Sequence, residues 1–158
     1  MRSPITWFGG KGHMTKKLLP LVPKHRIYVE VFGGGASLLL AKDPSLVEVY
    51  NDIDAGLVNF FRVLRDPALF AEFRSRVQLI PYARSEFYRY RELWRSGRGL
   101  DDPVENAVAF FVLARQNFGG LFGDSWGMSV STSSRGMASS VSAWLSAIDL
   151  LPEVAERL

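Results

Sequence analysis

Ile27-Tyr28-Val29-Glu30-Val31 is a β-branched and aromatic run that passes directly into Phe32-Gly33-Gly34-Gly35, and Ala36 to Ala41 then reads as a helix. A second short apolar run, Leu46 to Tyr50, follows and is closed by Asn51-Asp52-Ile53-Asp54. Strand, glycine turn, helix and strand in this order form a βαβ unit, which closes as a parallel pair with a right-handed crossover. The fold class expected is therefore α/β. A glycine turn where a strand runs into a helix also lets a ligand approach the backbone and meet the helix's unpaired N–H groups. Asp52, about 20 residues beyond Gly33 at the tip of the next strand, is placed to accept hydrogen bonds from ribose hydroxyls. Together these features indicate a ligand that contains a nucleoside.

The rest of the chain is helical in pattern. Leu57, Phe60, Phe61 and Leu64 recur at helical spacing, and Asp66-Pro67 ends that helix because proline disfavours a helical residue before it. From Pro67 to Arg115 no strand signal remains. Ser85 is placed to cap a helix with Phe87, Tyr90 and Trp94 on its apolar face and Gly97 at its end. Asp102 caps the next helix, with Pro103 at its first position and Glu105 placed for a capping box. Val104 to Leu113 is apolar nearly all round, which predicts burial. Beyond Gly119-Gly120, the stretch Gly127 to Ser140 holds six serines in fourteen residues and reads as a loop or weak hairpin. A final helical stretch around Trp144, Leu145 and Ile148 is expected to break at Pro152.

Composition excludes several classes. No stretch approaches the roughly 18–20 apolar residues of a membrane span, and the first twenty residues lack the apolar run of a signal peptide. A cytoplasmic protein is expected. With no cysteine and only His13 and His25 as imidazoles, there is no thiolate nucleophile or disulfide, and no structural zinc or other metal site is expected. The net charge of +3 conceals an uneven distribution: residues 62–98 carry nine arginines against four acids, and residues 99–158 three arginines against seven. Between Arg84 and Arg98 the arginines alternate with Phe87, Tyr88, Tyr90 and Trp94. That mix suits phosphate contacts with stacking anchors, and equally suits the solvated face of an amphipathic helix.

Trp7-Phe8-Gly9-Gly10-Lys11 is a second glycine constellation. Gly10-Lys11 suggests a phosphate-binding P-loop, but Ile5 stands where the first glycine is needed and Gly12 where Ser or Thr would hold magnesium. A dinucleotide-dependent oxidoreductase shares the βαβ start with Asp52, yet Gly33-Gly34-Gly35 lacks the G-x-G-x-x-G spacing.

Trp7 to Lys11, then Tyr28 to Ala36, then Asn51-Asp52-Ile53-Asp54 with Leu57 and Asn59, resemble the amino-terminal half of the Dam-type, D12-class N6-adenine DNA methyltransferases. Arg115-Gln116-Asn117-Phe118-Gly119-Gly120-Leu121 resembles the target-recognition insertion of that family, in a form typical of phage and prophage members. The resemblance implies a Rossmann-like methyltransferase fold with an incomplete sheet and a mainly helical DNA-recognition insertion. It implies S-adenosylmethionine as cofactor and double-stranded DNA as partner. Carried over residue by residue, it assigns Trp7, Gly9, Gly10, Lys11, Glu30, Phe32, Gly33, Gly35 and Asp52 to cofactor binding. Arg115, Asn117, Phe118 and Leu121 match recognition positions, and Arg89 and Arg95 of the basic segment are the further DNA-contact candidates. It divides the chain into a cofactor-binding part (1–66), a recognition insertion (67–140) and a return towards the catalytic part (141–158). Gly123 and Asp124 depart from the Dam pattern, where a second arginine follows Leu121, so a GATC target is not implied.

The family's amino-group chemistry uses an Asp- or Asn-Pro-Pro-aromatic motif that accepts hydrogen bonds from the target amine and stacks on the flipped base. The eight prolines here include no Pro-Pro pair, and in the family that motif follows the recognition insertion. The expectation is therefore an amino-terminal portion of an adenine-N6 DNA methyltransferase with no catalytic residues of its own and no activity alone. The alternative is a cofactor- or DNA-binding remnant of such an enzyme.

Overall fold

A computed structural model describes residues 1–158. Strand β1 (Ile27–Glu30) and strand β2 (Val47–Tyr50) pair in parallel, with Ile27 opposite Val47 and Glu30 opposite Tyr50. Between them runs α2 (Ser37–Ala41), which buries Leu39 and Leu40; a shorter turn of helix, α1 (Thr15–Leu18), precedes β1. The βαβ reading holds. The expected Rossmann-like sheet does not appear, however: two parallel strands are all that pair here, and the only other sheet is a two-residue hairpin of β3 (Ser133–Ser134) and β4 (Met137–Ala138).

The parallel pair is lopsided. Tyr28, Glu30, Glu48 and Tyr50 share one face with the body of the protein, while Ile27, Val29, Val47 and Val49 on the other are 42–62% exposed. Parallel strands are ordinarily covered on both faces, but here only the face that carries Tyr28, Glu30, Glu48 and Tyr50 packs on the protein.

Helices supply most of the core. Asp54 caps α3 (Ala55–Arg65) by accepting from Leu57 N–H, and Asp66 both ends α3 and caps α4 (Pro67–Val77) by accepting from Ala68 and Leu69 N–H. Helix α6 (Pro103–Arg115) is buried from Val104 to Ala114 except for Glu105 and Asn106, as its unpatterned apolar sequence requires. Phe111 stacks on Phe60 of α3 at 5.8 Å, meets Phe73 of α4 edge-on at 5.8 Å, and touches Trp144 of α7 (Ser139–Arg157) at 5.2 Å. Aromatic contacts thus tie together residues from all three stretches of the chain.

Three local expectations are corrected. Helix α7 runs through Pro152 without a break. Its buried face, Trp144, Ala147, Leu151 and Val154, continues at helical spacing on both sides of the proline; burying Leu151 and Val154, each about 1.5–3 kcal/mol, offsets the roughly 3 kcal/mol cost of an internal proline. Helix α5 (Arg84–Ser96) starts two residues earlier than a Ser85 cap would place it, and Ser85 lies within its first turn. The start is fixed from outside, because Gln116 Nε2 donates to Pro81 O and the Tyr82 hydroxyl donates to Gly127 O. The capping box on α6 is half formed: Asp102 accepts from Glu105 N–H at 2.7 Å, but the Glu105 carboxylate turns to Arg76 Nη1 at 2.8 Å.

Candidate functional site

The carboxyl ends of β1 and β2 lie side by side, the place where open parallel sheets hold ligands. Beyond β1 the chain turns sharply at Gly33 to Ala36. Gly34 and Ala36 have φ of +52° and +54°, a region that costs an L-residue roughly 1–2 kcal/mol and that glycine enters freely. Gly33 is required for a different reason: a Cβ there would lie 2.1 Å from Tyr50 Cε2.

The turn is fastened to the end of β2 and the loop after it by several hydrogen bonds. Gly33 N–H donates to Asn51 O at 2.8 Å, Gly34 N–H to Asp52 Oδ2 at 2.8 Å, and the Tyr50 hydroxyl to Gly34 O at 2.8 Å. Asn51 Nδ2 donates to Val31 O at 2.8 Å, and Asp52 Oδ1 accepts from Asp54 N–H at 3.1 Å. Asp52 is thus first a clamp. Each of its oxygens accepts one bond and keeps capacity for another, so a ligand hydroxyl can still donate to it. Burial and the carboxylates of Asp52, Glu30 and Asp54 push the Tyr50 phenol well above its usual range, so it stays a donor to Gly34.

Glu30 is the buried charge of the site, only 6% exposed. Lys11 Nζ stands 2.9 Å from Glu30 Oε1 and donates to Phe32 O at 2.8 Å, yet neither Glu30 oxygen has a hydrogen bond of good geometry. Lys11 therefore bridges the Trp7-to-Lys11 segment to the β1 turn. Trp7 lies over Gly34, where a Cβ would meet its ring at 3.2 Å, and packs against Phe110 at 5.6 Å and Phe122 at 5.9 Å. Gly9 takes a φ of +71° and Gly10 N–H donates to Trp7 O at 3.0 Å, which closes the first glycine turn. A cleft of about 520 Å³ lies on this side, with Trp7, Gly10 and Gly35 in its wall. Glu30, Phe32, Gly33 and Asp52 are not in that wall, and Lys11, paired with Glu30 and bonded to Phe32 O, links them to the Trp7-to-Lys11 segment. Two residues that the sequence reading did not single out complete this region: Tyr50, which clamps the turn, and Ile53, 99% exposed beside Asp52 and matched by Phe32 at 82%.

The expected DNA-contact residues also divide. Arg95 is exposed, and Arg89 is ion-paired with Glu86 at 2.8 Å and lies over the Tyr90 ring at 4.1 Å. Phe118 and Leu121 are 66% and 46% exposed on a loop closed by a bridge between Asn117 and Trp126. Asn117 and Arg115 turn inward. Asn117 Nδ2 donates to Leu113 O and Ala114 O, capping the end of α6. Arg115 Nη1 donates to Thr6 Oγ1 at 3.1 Å and Nη2 to Ala143 O at 2.8 Å. No group of three or more His, Asp or Glu side chains is arranged to hold a metal ion, and no helix is long and apolar enough to cross a membrane.

A glycine turn clamped by an aspartate at the ends of two parallel strands, joined to a mostly helical body, defines an α/β protein with a candidate ligand site at the strand tips. Residues 7–124 match the D12 class of N6 adenine-specific DNA methyltransferases, and the chain belongs to that family. It is similar to the DNA adenine methylase of Vibrio cholerae (28% identical over 123 residues, 76% of this chain and 43% of the relative). It is also similar to the DNA adenine methylase of Escherichia coli K12 (26% over 122 residues, 76% and 42%) and to the DNA N-6-adenine-methyltransferase of Escherichia phage P1 (30% over 128 residues, 76% and 16%). The match spans less than half the length of each of these relatives.

Proposed function

We propose that this chain is the cofactor-binding and DNA-facing portion of an S-adenosylmethionine-dependent enzyme that methylates adenine N6 in DNA. The observation that carries the reading is the glycine turn held against Asp52 and the buried, incompletely satisfied Glu30 at the strand ends. Those residues fit the cofactor. Glu30, Asp52 and Asp54 make the region acidic, which suits a cationic sulfonium and an ammonium. Asp52 has spare acceptor capacity for a ribose diol, and the exposed Phe32 and Ile53 offer apolar surface for a purine. When bound, S-adenosylmethionine supplies an electrophilic methyl group on sulfur. The part of these residues is to bind and orient: the turn fixes the ligand's backbone contacts, Asp52 its sugar, and Glu30 the cationic end.

On the DNA side, exposed Phe118 and Leu121 form an apolar loop tip, and Arg91 of the arginine-rich α5 donates to Asp124 O of the same loop. A methyl group moves only when the flipped adenine is aimed at the sulfonium, and the Pro-Pro motif that does this in the family is absent from these 158 residues. Transfer by these 158 residues alone is therefore not expected. The test is incorporation of tritium from methyl-labelled cofactor into duplex DNA, by this chain alone and by this chain fused to the motif-bearing region of a D12 relative. No incorporation alone and N6-methyladenine from the fusion is the expected result; incorporation by the 158-residue chain alone at ordinary enzyme rates would overturn it.

A further inference from the structure

A second cleft, of about 300 Å³, opens between the amino-terminal segment and the first turns of α7, with Arg2, Ser3, Arg115, Ser139, Ser142 and Ser146 in its wall. No acidic residue lines it. Arg135 stands beside it, with Nε donating to Ser142 Oγ at 2.9 Å and Nη2 donating to Ser142 O and Ser146 Oγ, both at 2.7 Å. The ion pairs of the molecule use Lys11, Lys42, Arg76, Arg89 and Arg157. Arg2, Arg115 and Arg135 therefore form a group of three guanidinium ions with no carboxylate among them.

Arg115 bears most of the cost. Its Nη atoms are satisfied by Thr6 and Ala143, but its buried Nε has no acceptor. Burial and the like charge of Arg2 push its guanidinium down to about 10. A cation withdrawn from water beside a second cation is unfavourable until a counter-ion arrives. An oxyanion in the cleft would remove both penalties, and guanidinium groups match the geometry of phosphate oxygens. Helix α7 adds to this field: its first turn has no side-chain cap, and Ser139 and Ser142 of that turn line the cleft.

We infer that this cleft binds one oxyanion between Arg2 and Arg115, and that the oxyanion is a backbone phosphodiester of DNA. Only the second half rests on the DNA reading above. What ties the two is position: Arg115 is the last residue of α6 and leads directly into the loop that exposes Phe118 and Leu121.

Arg2 is exposed and has no intramolecular partner, so Arg2→Glu tests the site without removing a structural bond and brings a carboxylate to the place proposed for the oxyanion. Thermal unfolding of the wild type, Arg2→Glu and the charge-matched control Lys24→Glu is followed against inorganic phosphate, with chloride holding ionic strength constant. Affinity for a labelled duplex is measured on the same three proteins. Phosphate should raise the melting temperature of the wild type and of Lys24→Glu. Arg2→Glu should melt higher than the wild type without phosphate, fail to respond to it, and bind duplex about tenfold more weakly, the loss of one charged contact. Lys24→Glu should change duplex affinity far less. No response of the wild type to phosphate beyond that to chloride overturns the site. A phosphate response abolished by Arg2→Glu, with duplex affinity equal to that of Lys24→Glu, upholds the oxyanion site and overturns DNA as its source. The same response in a wild type that binds no duplex at all upholds the site and removes the DNA reading instead.

Discussion

Lys11 has two possible occupations, and replacing it by methionine separates them. If its ammonium waits for a ligand carboxylate, the free protein loses nothing. The structure instead places it 2.9 Å from Glu30, whose side chain is 6% exposed against 32% for the lysine. Removing one partner of a buried ion pair costs about 3–5 kcal/mol, because the other charge stays buried and unpaired. The lysine is about a third open to water, so the expected loss for Lys11→Met is reduced to about 2–3 kcal/mol, with methionine preserving most of the stem's packing. Equilibrium urea unfolding measures it. Glu30→Gln in the Lys11→Met background should recover about 1–2 kcal/mol, since no charge is then left stranded. Lys17→Met, at an exposed position with no partner, should lie within about 0.5 kcal/mol of the wild type. Lys11→Met as stable as Lys17→Met would refute the pairing and return Lys11 to the ligand.

Two further perturbations follow from the same loops. Gly33→Ala drives a methyl group into the Tyr50 ring and should cost about 1–3 kcal/mol as an overpacked contact; in a double-mutant cycle with Tyr50→Ala the two costs should fall short of additive in urea unfolding, and strict additivity would show that the ring is not the obstacle. Glu48 is held at about 2: burial pushes it up, but hydrogen bonds from Arg157, Lys42 and the Ser45 N–H outweigh that. A carboxyl lowered on folding stabilises above its ordinary pKa of 4.5 and loses that contribution as pH falls towards 2, so up to about 3 kcal/mol should disappear across this window. Glu48→Gln should be less stable than the wild type at pH 7 and approach it near pH 2; parallel stability curves for the two proteins would contradict the assignment.

The parts of this molecule that were legible in the sequence are those decided within a few residues. The βαβ start follows from two β-branched runs and a glycine turn, the corner at Asp66-Pro67 from a cap beside a proline, and the burial of α6 from a helix with no polar face. The misread parts depend on partners far along the chain. Pro152 lies inside a helix because Leu151 and Val154 are buried on either side of it. Ser85 does not cap α5 because Gln116 and Gly127 hold the chain ahead of it. The sheet stops at two strands although the exposed row of Ile27, Val29, Val47 and Val49 has the apolar pattern of a covered one. The candidate site shows the same division. The glycines and Asp52 were recognisable from spacing alone, whereas the Lys11–Glu30 pair, the Tyr50 clamp and the inward turn of Arg115 and Asn117 arise from contacts between residues that spacing does not relate.

The central claim is that the clamped turn at the ends of β1 and β2 binds S-adenosylmethionine, and calorimetric titration of the cofactor into this chain and its Asp52→Ala variant tests it most directly. One saturable site in the wild type, weakened in the variant by about 1–3 kcal/mol for lost hydrogen bonds to a charged group, is the predicted result, with far-ultraviolet circular dichroism showing that the variant keeps its helices. No binding heat in the wild type, or equal affinity in both proteins, would contradict the account.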